Sequence, residues 1–119
     1  INFIRDIPED IKYGRRYLPL KGFELDSLKK EEVLKKKQEF KRFINAQINQ
    51  FLKWQLEAEQ GFKYIPRRYL IPIKTASDMY KWTASKIKED PFIIYEEKVK
   101  PSKFRIIMDI LKNIFYIKV

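Results

Sequence analysis

The sequence predicts a mainly α fold, a compact helical domain with one long helix that can be bent and with room for one small strand pair. Apolar residues recur at three- and four-residue spacing over much of the chain, as on one face of a helix. Its 119 residues, 45% of them hydrophobic, suffice for one core and are too few for two. We therefore expect residues 1–119 to form a single domain. Because the chain lacks an initial Met, we expect a fragment or a trimmed chain.

The N-terminal quarter is predicted to hold one short helix. Proline and glycine interrupt residues 1–24, so we expect a helix near Pro8–Tyr13 followed by an extended loop. Either Asp26 or Ser27 can cap the next helix, whose first turn carries Glu31 and Glu32 near the positive end of the dipole.

A long helical signal runs from there to Gln60 and ends at Gly61. A continuous helix over 27–60 would be about 50 Å long, so it either breaks around Lys35–Gln38 or protrudes. We favour a break, with the strong helix at 38–60. Its predicted stripe comprises Phe40, Phe43, Ile44, Gln47, Ile48, Phe51, Leu52 and Gln55.

A third helix is predicted to begin at Thr75, which with Asp78 forms a variant of the capping box. Asp90 and Pro91 should end it, and the run 92–95 resembles a short strand. The predicted inward face is Ala76, Met79, Tyr80, Thr83, Ala84 and Ile87.

The last predicted helix is capped by Ser102, and we expect an extended segment over 114–119. Four of its apolar residues are predicted to share a face, namely Phe104, Ile107, Met108 and Leu111.

The charge balance points to an anionic or acidic partner. Lys and Arg number 26 and Asp and Glu 16, a net charge of +10, which suits a polyanion, a membrane surface or an acidic protein. No apolar run approaches membrane-spanning length, so we predict no membrane partner. The lysine run 35–37 is either a solvated face or part of a field that steers anions.

The chain contains neither cysteine nor histidine. Disulfides, thiolate nucleophiles, iron–sulfur clusters and the usual imidazole base are therefore excluded. The adjacent acids Glu31-Glu32 and Glu96-Glu97 cannot face one another on a helix or a strand. We expect no catalytic residue, no metal and no cofactor, and an intracellular, cytoplasmic protein.

Two similar segments carry the predicted binding site. Residues 15–21 (RRYLPLK) return, with one residue inserted, as residues 67–74 (RRYLIPIK). Forked guanidinium donors beside an aromatic ring and a proline suit contacts to phosphates and bases; the alternative is two ordinary loops. The predicted binding residues are Arg15, Arg16, Tyr17, Lys21, Arg67, Arg68, Tyr69, Lys74 and Trp82.

The two tryptophans are predicted to differ. Trp54 neighbours the apolar stripe of the long helix, so we expect it to be mostly buried. Trp82 lies off the inward face among Lys81 and Lys86, so we expect it on the surface, where it could stack on a base or bury in a partner subunit. We also expect the two Arg-Arg-Tyr units to converge on one anion site.

Residues 13–25 (YGRRYLPLKGFEL), followed by a helix with Glu39 and Phe40, resemble the C-terminal domain of the archaeal and eukaryotic primase large subunit. Residues 61–68 resemble a later Tyr-x-x-Arg segment of that domain but lack its His and Gly. The domain holds an iron–sulfur cluster on four cysteines, which this chain does not have. The chain is therefore most similar to the cluster-free, noncatalytic third subunit of archaeal primase.

This resemblance implies a noncatalytic accessory subunit of the primosome in DNA replication. It would bind a single-stranded DNA template or the initiating nucleotide, together with the catalytic and large primase subunits. The alternative is a basic helical interaction module that docks an acidic partner and does not bind nucleic acid. A winged-helix DNA binder is a variant of the first interpretation.

Overall fold

The computed structural model describes residues 1–117, and its regular elements are all helices, with no strand in this range. The mainly α prediction is confirmed, whereas no strand pair forms among the described residues. The helices are α1 (Asn2–Arg5), α2 (Ile7–Lys12), α3 (Lys30–Lys35), α4 (Lys37–Glu59), α5 (Arg67–Glu89), α6 (Ile93–Glu96) and α7 (Lys103–Tyr116), with a 3₁₀ turn at Gln60–Tyr64.

The apolar core lies at one end of the molecule, where α4 packs against the N-terminal helices and the last turns of α5. From α4 the fully buried side chains are Phe40, Phe43, Ile44 and Ile48, and from α5 they are Ala84 and Ile87. The remaining core side chains are Ile4, Ile7, Leu20, Leu25, Leu28, Val33, Ile94 and Val99.

The predicted helix near Pro8–Tyr13 corresponds to α2, and a left-handed glycine ends it. Gly14 has φ +71°, its N–H donates to Ile11 O at 2.9 Å, and the N–H of Arg15 donates to Asp10 O at 2.8 Å. This is a Schellman ending, which glycine adopts without steric cost. It fixes the direction in which the Arg15-Arg16 segment leaves the helix.

The predicted break of the long helix is confirmed at Lys36, between α3 and α4. Neither predicted cap binds the start of α3 directly, since Lys29 is the N-cap residue and Ser27 Oγ accepts only its N–H, at 3.3 Å. The expected stop at Gly61 is wrong. That residue lies inside the 3₁₀ turn, which continues α4 and leaves Gly61 outside the left-handed region.

The start predicted for the third helix is also wrong, because α5 begins at Arg67 and Thr75 lies inside it. Pro72 lies inside this helix, where its missing N–H removes only one hydrogen bond near the helix start, the one to the Arg68 carbonyl. Two flanking helices cover α5 and maintain it. Its predicted end at Asp90 is confirmed.

The segment 92–95, predicted as a strand, forms the short helix α6. The side chain of Asp90 accepts the N–H of Phe92 at 3.2 Å, and this turn starts the helix. Since no other strand is present among residues 1–117, an extended segment would have no ladder partner. Phe92 and Tyr95 instead pack on Phe40, with ring centroids 5.0 and 5.7 Å away.

The cap of the last helix is confirmed, since Ser102 Oγ accepts the N–H of Arg105 at 3.1 Å. Residues 114–116 were predicted to be extended but continue α7, because the buried Asn113 and the bonds from Arg67 to its last carbonyls hold this turn. The last two positions of that prediction, 118 and 119, lie outside the described residues.

Helix α5 lies between α4 and α7 and runs antiparallel to both. Its first residue, Arg67, contacts the end of α7, while Trp82 contacts Arg105 at the start of α7. The principal dimensions are 51 × 28 × 25 Å. The molecule is elongated because α7 and the first half of α5 extend beyond the apolar core.

The exposure of the two tryptophans is the reverse of the prediction. Trp54 is 63% exposed, whereas Trp82 is half-buried against the core. The physical reason is that α5 is covered on two sides, so residues off its inward face are still shielded, while the last turns of α4 are covered on one side only.

Candidate functional site

A cavity of about 580 Å³ lies between α5 and α7. Helix α5 forms one wall and α7 forms the other, and Arg5 of α1 also lines the cavity. The lining residues are Arg5, Ile71, Pro72, Thr75, Ala76, Met79, Tyr80, Thr83, Pro101, Ile106 and Ile110.

The walls are almost entirely apolar although two threonines contribute to them. Thr75 Oγ1 donates to Ile71 O at 2.8 Å, and Thr83 Oγ1 donates to Met79 O at 3.1 Å. Their hydroxyl protons are therefore used within α5. Arg5 is the one charged residue among the lining side chains.

Arg5 forms a two-pronged ion pair with its neighbour. Its Nε donates to Asp6 Oδ1 at 2.8 Å and its Nη2 to Asp6 Oδ2 at 3.1 Å. The hydrogen bond from Arg5 lowers the pKa of Asp6, and the same bond raises the pKa of Arg5. Both groups are thus charged at neutral pH, and the guanidinium has donors beyond those facing Asp6.

The cavity lining extends along α5, and its one charged residue, Arg5, belongs to α1, which packs in the apolar core through Ile4. From Thr83 to Ile71 it follows α5 for about 18 Å, at 1.5 Å per residue. Tyr80, which lines it with Arg5, lies in the half of α5 nearer the core, and Ile71 lies near the other end. Such a shape suits an extended apolar chain with a polar head.

A polar cluster joins α5 to α7 beside this cavity. Asn113 is fully buried, and its Nδ2 lies 3.0 Å from Thr75 Oγ1, 3.2 Å from Asp78 Oδ2 and 3.1 Å from Asp109 Oδ2. Lys74 Nζ contacts Asp78 Oδ2 at 2.9 Å. These bonds fix the angle between the two helices that form the cavity walls.

The two carboxyl groups of this cluster have opposite pKa shifts. Burial alone would raise the pKa of Asp78, but hydrogen bonds from Lys74, Asn113 and Asp109 outweigh it and lower that pKa. Burial, followed by the hydrogen bond to Asp78 and the charge of Asp78, raises the pKa of Asp109. Asp109 is therefore the member of the pair that holds a proton more readily.

The first predicted Arg-Arg-Tyr unit follows α2. Arg15 Nη2 contacts Asp10 Oδ1 at 3.3 Å, Arg16 is exposed, and the Tyr17 ring stacks on Phe3 with centroids 4.6 Å apart. Lys21, also predicted, is exposed in the following loop.

The second unit forms the first turn of α5 and is not a loop. Arg67 donates to Ile117 O at 2.9 Å and to Ile114 O at 2.6 Å. The Arg68 guanidinium lies 4.5 Å from the centroid of the Tyr69 ring. No hydrogen bond, ion pair or ring contact within residues 1–117 joins the two units.

The other two predicted binding residues are also engaged. Lys74 is paired with Asp78, and the ring of Trp82 is covered by Arg105, whose Cζ lies 4.9 Å from the ring centroid. None of the nine predicted binding residues lines the cavity.

The sequence analysis therefore did not predict the cavity as a site, although it did predict the helical face that forms one of its walls. Ala76, Met79, Tyr80 and Thr83 were correctly predicted to share a helical face, but that face was assigned to the core. Arg5 was not predicted at all. A proline inside an apolar helical stripe was the signal that could have pointed to a recess.

Two kinds of site can be judged on the described residues. No three acidic side chains in residues 1–117 come close enough to share a metal ion. Within the same range, no helix is both long and apolar enough to cross a membrane.

The comparisons with known proteins agree on one family. The squalene/phytoene synthase family model matches residues 1–105. Phytoene synthase of Arthrospira platensis is 25% identical over 99 residues, which cover 82% of this chain and 32% of that protein. The 15-cis-phytoene synthase of Synechocystis sp. is 24% identical over 99 residues, 82% of this chain and 29% of that protein. The chain thus spans about a third of the length of these relatives. No solved structure matches it.

This match shows that the primase interpretation is wrong. The resemblance rested on short segments at 13–25 and 61–68, and an arginine pair beside an aromatic ring suits any anion, so it does not identify a nucleotide. The predicted accessory role in DNA replication is therefore wrong as well. So are the predicted partners, which were DNA, a nucleotide and the primase subunits. The alternative, a basic interaction module, is supported no better.

The noncatalytic assignment is contradicted as well, because the match is to a family of enzymes. The absence of His and Cys excludes only reactions that need a thiolate or an imidazole, and many reactions do not. With the family model covering most of its length, the chain belongs to the squalene/phytoene synthase family.

Proposed function

We propose that this chain is part of an enzyme of isoprenoid biosynthesis that acts on prenyl diphosphates, and that the α5–α7 cavity binds the prenyl chain. The observation that carries the proposal is the cavity itself, apolar for about 18 Å along α5 and bordered by a single charged side chain, Arg5. A prenyl diphosphate has the same division, with a long branched hydrocarbon at one end and a compact anion at the other.

The energetics favour a prenyl chain along the apolar walls and a diphosphate beside Arg5. Aliphatic and aromatic walls bind hydrocarbon through burial, at about 25 cal/mol per Å² of apolar surface removed from water. A diphosphate in the same recess would need cations, and a guanidinium binds phosphate oxygens in a two-pronged manner. The net charge of +10 would attract such an anion from solution.

The family and the relatives support an enzyme of this class. Both relatives are named as phytoene synthases, and the chain spans about a third of each, so the complete reaction belongs to the proposal. A cytoplasmic location is likewise proposed, because disulfides are rare in cytosolic proteins and the chain has no cysteine to form one. That residues 1–119 form a single domain stays a prediction, as does an anion-binding role for Arg15, Arg16, Arg67 and Arg68.

Calorimetric titration with farnesyl diphosphate tests the proposal. We expect the intact amphiphile to bind more tightly than farnesol or inorganic diphosphate, because only it uses both parts of the site. Ala76→Trp should fill the recess and weaken binding at least about tenfold, as overfilled apolar sites lose their ligand contacts. Ala58→Trp makes the same change on the exposed surface of α4 and should leave binding unchanged.

A second pair of variants tests the head group. Arg5→Met should reduce affinity for farnesyl diphosphate but not for farnesol, whereas Arg5→Lys should retain part of the difference. Equal binding by Ala76→Trp and Ala58→Trp would show that the prenyl chain does not occupy this cavity, and equal losses for both ligands in Arg5→Met would remove Arg5 from the head-group site.

A further inference from the structure

The polar cluster between α5 and α7 contains more hydrogen-bond acceptors than protons. Asn113 Nδ2 lies within 3.2 Å of oxygens of Thr75, Asp78 and Asp109, but an amide nitrogen carries two protons. The Thr75 hydroxyl does not supply another, because it donates to the Ile71 carbonyl. Asn113 Oδ1 is buried and has no hydrogen-bond partner among residues 1–117. The cluster is therefore at least one proton short when both carboxyl groups are ionised.

Asp78 is surrounded by groups that keep it ionised. Its Oδ2 contacts Lys74 Nζ at 2.9 Å, and its Oδ1 lies 3.9 Å from Lys81 Nζ. On the side of α4, Lys81 also pairs with Glu59, whose carboxylate is close enough to interact with the charge of Asp78. Two lysines thus compensate Asp78, and an additional proton in the cluster belongs on the other carboxyl group.

Asp109 is the carboxyl group that can take this proton. It is only partly buried, so protons from solvent reach it, and it has no ion pair within residues 1–117. Arg105 and Lys112 of its own helix line one groove with it. Burial, followed by the hydrogen bond to Asp78 and the charge of Asp78, raises the pKa of Asp109. The charges of Lys74 and Lys112 act in the opposite direction and are outweighed.

The cluster is connected to the α5–α7 cavity by residues that contact both. Thr75 lines the cavity and accepts the hydrogen bond from Asn113. Ile106 and Ile110 form part of the α7 wall, and both lie within one helical turn of Asp109. A change in how closely Asp109 approaches α5 would therefore move this wall of the cavity.

We propose that a proton shared between Asp109 and Asp78 holds α7 against α5, and that loss of this proton as pH rises moves α7 outward and widens the cavity. With the proton in place, Asp109 donates the hydrogen bond that the cluster lacks. Without it, two carboxylates face each other across a partly buried contact, where their repulsion exceeds that in water. An apolar ligand then loses contacts with one wall, so the cavity binds hydrocarbon more tightly at acidic than at neutral pH.

The value of such a switch to an enzyme rests on the function proposed for the cavity. The switch itself can be measured without a prenyl diphosphate, so the two proposals can fail separately.

Two spin labels measure the distance between α5 and α7, because the chain has no cysteine of its own. Ser85→Cys and Leu111→Cys place the labels at exposed positions of the two helices. Between about pH 4, the ordinary value for aspartate, and about pH 8, we expect the distance to increase by about 1–2 Å, the usual size of helix shifts at packed interfaces. Asp109→Asn, whose amide can donate to Asp78 at every pH, should remove this increase.

Two controls separate Asp109 from other groups that titrate over the same range. Labels at Ser85→Cys and Gln50→Cys report the distance between α5 and α4, which should stay constant and also shows that the chain remains folded. Asp26→Asn removes a carboxyl group from an exposed loop position and should leave the response of the α5–α7 distance intact.

Fluorescence titration with N-phenyl-1-naphthylamine, an uncharged apolar probe, measures the consequence for the cavity. We expect the probe to bind about fivefold more tightly at about pH 4 than at about pH 8. Asp109→Asn should keep the tighter binding at both pH values. Ala76→Trp should fill the cavity and abolish binding, which shows that the probe occupies it.

An α5–α7 distance that does not change with pH would overturn the inference, as would a change that is equally large in Asp109→Asn. A distance that changes while the affinity for the probe stays constant would show that α7 does not control the cavity. Failure of farnesyl diphosphate to bind would contradict the proposed function alone.

Discussion

Asn113 of α7 donates a hydrogen bond of 3.0 Å to Thr75 Oγ1 of α5, and both residues are buried. Thr75 Oγ1 also donates to the Ile71 carbonyl. The same hydroxyl therefore connects α7 to the backbone of α5. Asn113 is the one fully buried side chain that α7 contributes within the described residues. The attachment of α7 thus depends on a polar contact as well as on the cavity walls.

The first prediction follows from that contact. Asn113→Ala should destabilise the fold by about 1–3 kcal/mol, because buried hydrogen-bonding groups on α5 lose their partner. Urea unfolding measures the change. Asn49, exposed on α4 where its side chain accepts from Lys88, gives the control Asn49→Ala, expected to change stability by less than about 0.5 kcal/mol. Equal losses in the two variants would contradict a structural role for Asn113.

The second prediction concerns pH. Because the pKa of Asp109 is raised in the folded chain, its contribution to stability is complete below its unfolded pKa and is lost as pH rises through the folded value. Asp109→Asn keeps a donor for Asp78 but cannot ionise. It should therefore be more stable than the unaltered chain at neutral pH, by about 0.5 kcal/mol after allowance for solvent screening.

Thermal unfolding across the acidic and neutral range checks this expectation. The difference between the two proteins should shrink as pH falls through the folded pKa of Asp109 and be smallest at about pH 4, the unfolded value for aspartate, and below. Asp26→Asn, at an exposed loop position, controls for the loss of one negative charge from a basic chain. A difference that is the same at every pH would show that Asp109 does not titrate in contact with Asp78.

Some of the fold could be predicted because local signals and packing agreed. The stripe around Phe40 and Phe43 gave α4, the break near Lys36 followed from length alone, and Ser102 capped α7 as its sequence position indicated. The start of α5 could not be predicted, because Pro72 is a strong local signal and only the packing of α4 and α7 on either side of α5 overrides it.

The candidate site was less accessible to sequence reasoning. A helical face containing Ala76 and Met79 looks the same whether it meets a core or a ligand, and only the position of α7 shows that a recess remains there. The two Arg-Arg-Tyr units stood out in the sequence as binding candidates. In the fold, however, Arg67 donates to backbone carbonyls at the end of α7. Composition therefore predicted an anionic or acidic partner, but it did not predict which one.

The third prediction tests the link between α6 and the loop before α3. Tyr95 OH donates to Leu28 O at 2.6 Å, and burial, with a smaller effect of the Glu31 charge, raises the pKa of Tyr95. Tyr95→Phe should cost about 1 kcal/mol in urea unfolding, since the carbonyl loses its donor. Tyr64→Phe alters a ring that is 78% exposed and should have no measurable effect; the reverse order of the two would rule out the hydrogen bond as a source of stability.

The fourth prediction concerns the end of α7. Helices leave their last carbonyls without backbone partners, and Arg67 donates to two carbonyls at this end, those of Ile114 and Ile117. Arg67→Ala should therefore loosen the last turn of α7, raising amide hydrogen exchange there about tenfold for a loss near 1.4 kcal/mol. Exchange in α4 should stay unchanged, because Arg67 has no hydrogen bond to that helix within residues 1–117.

Arg16→Ala is the control for this prediction, because it removes an exposed arginine from the other Arg-Arg-Tyr unit. It should leave the exchange of α7 unchanged. Faster exchange of α7 in that variant as well would mean that the two units are coupled.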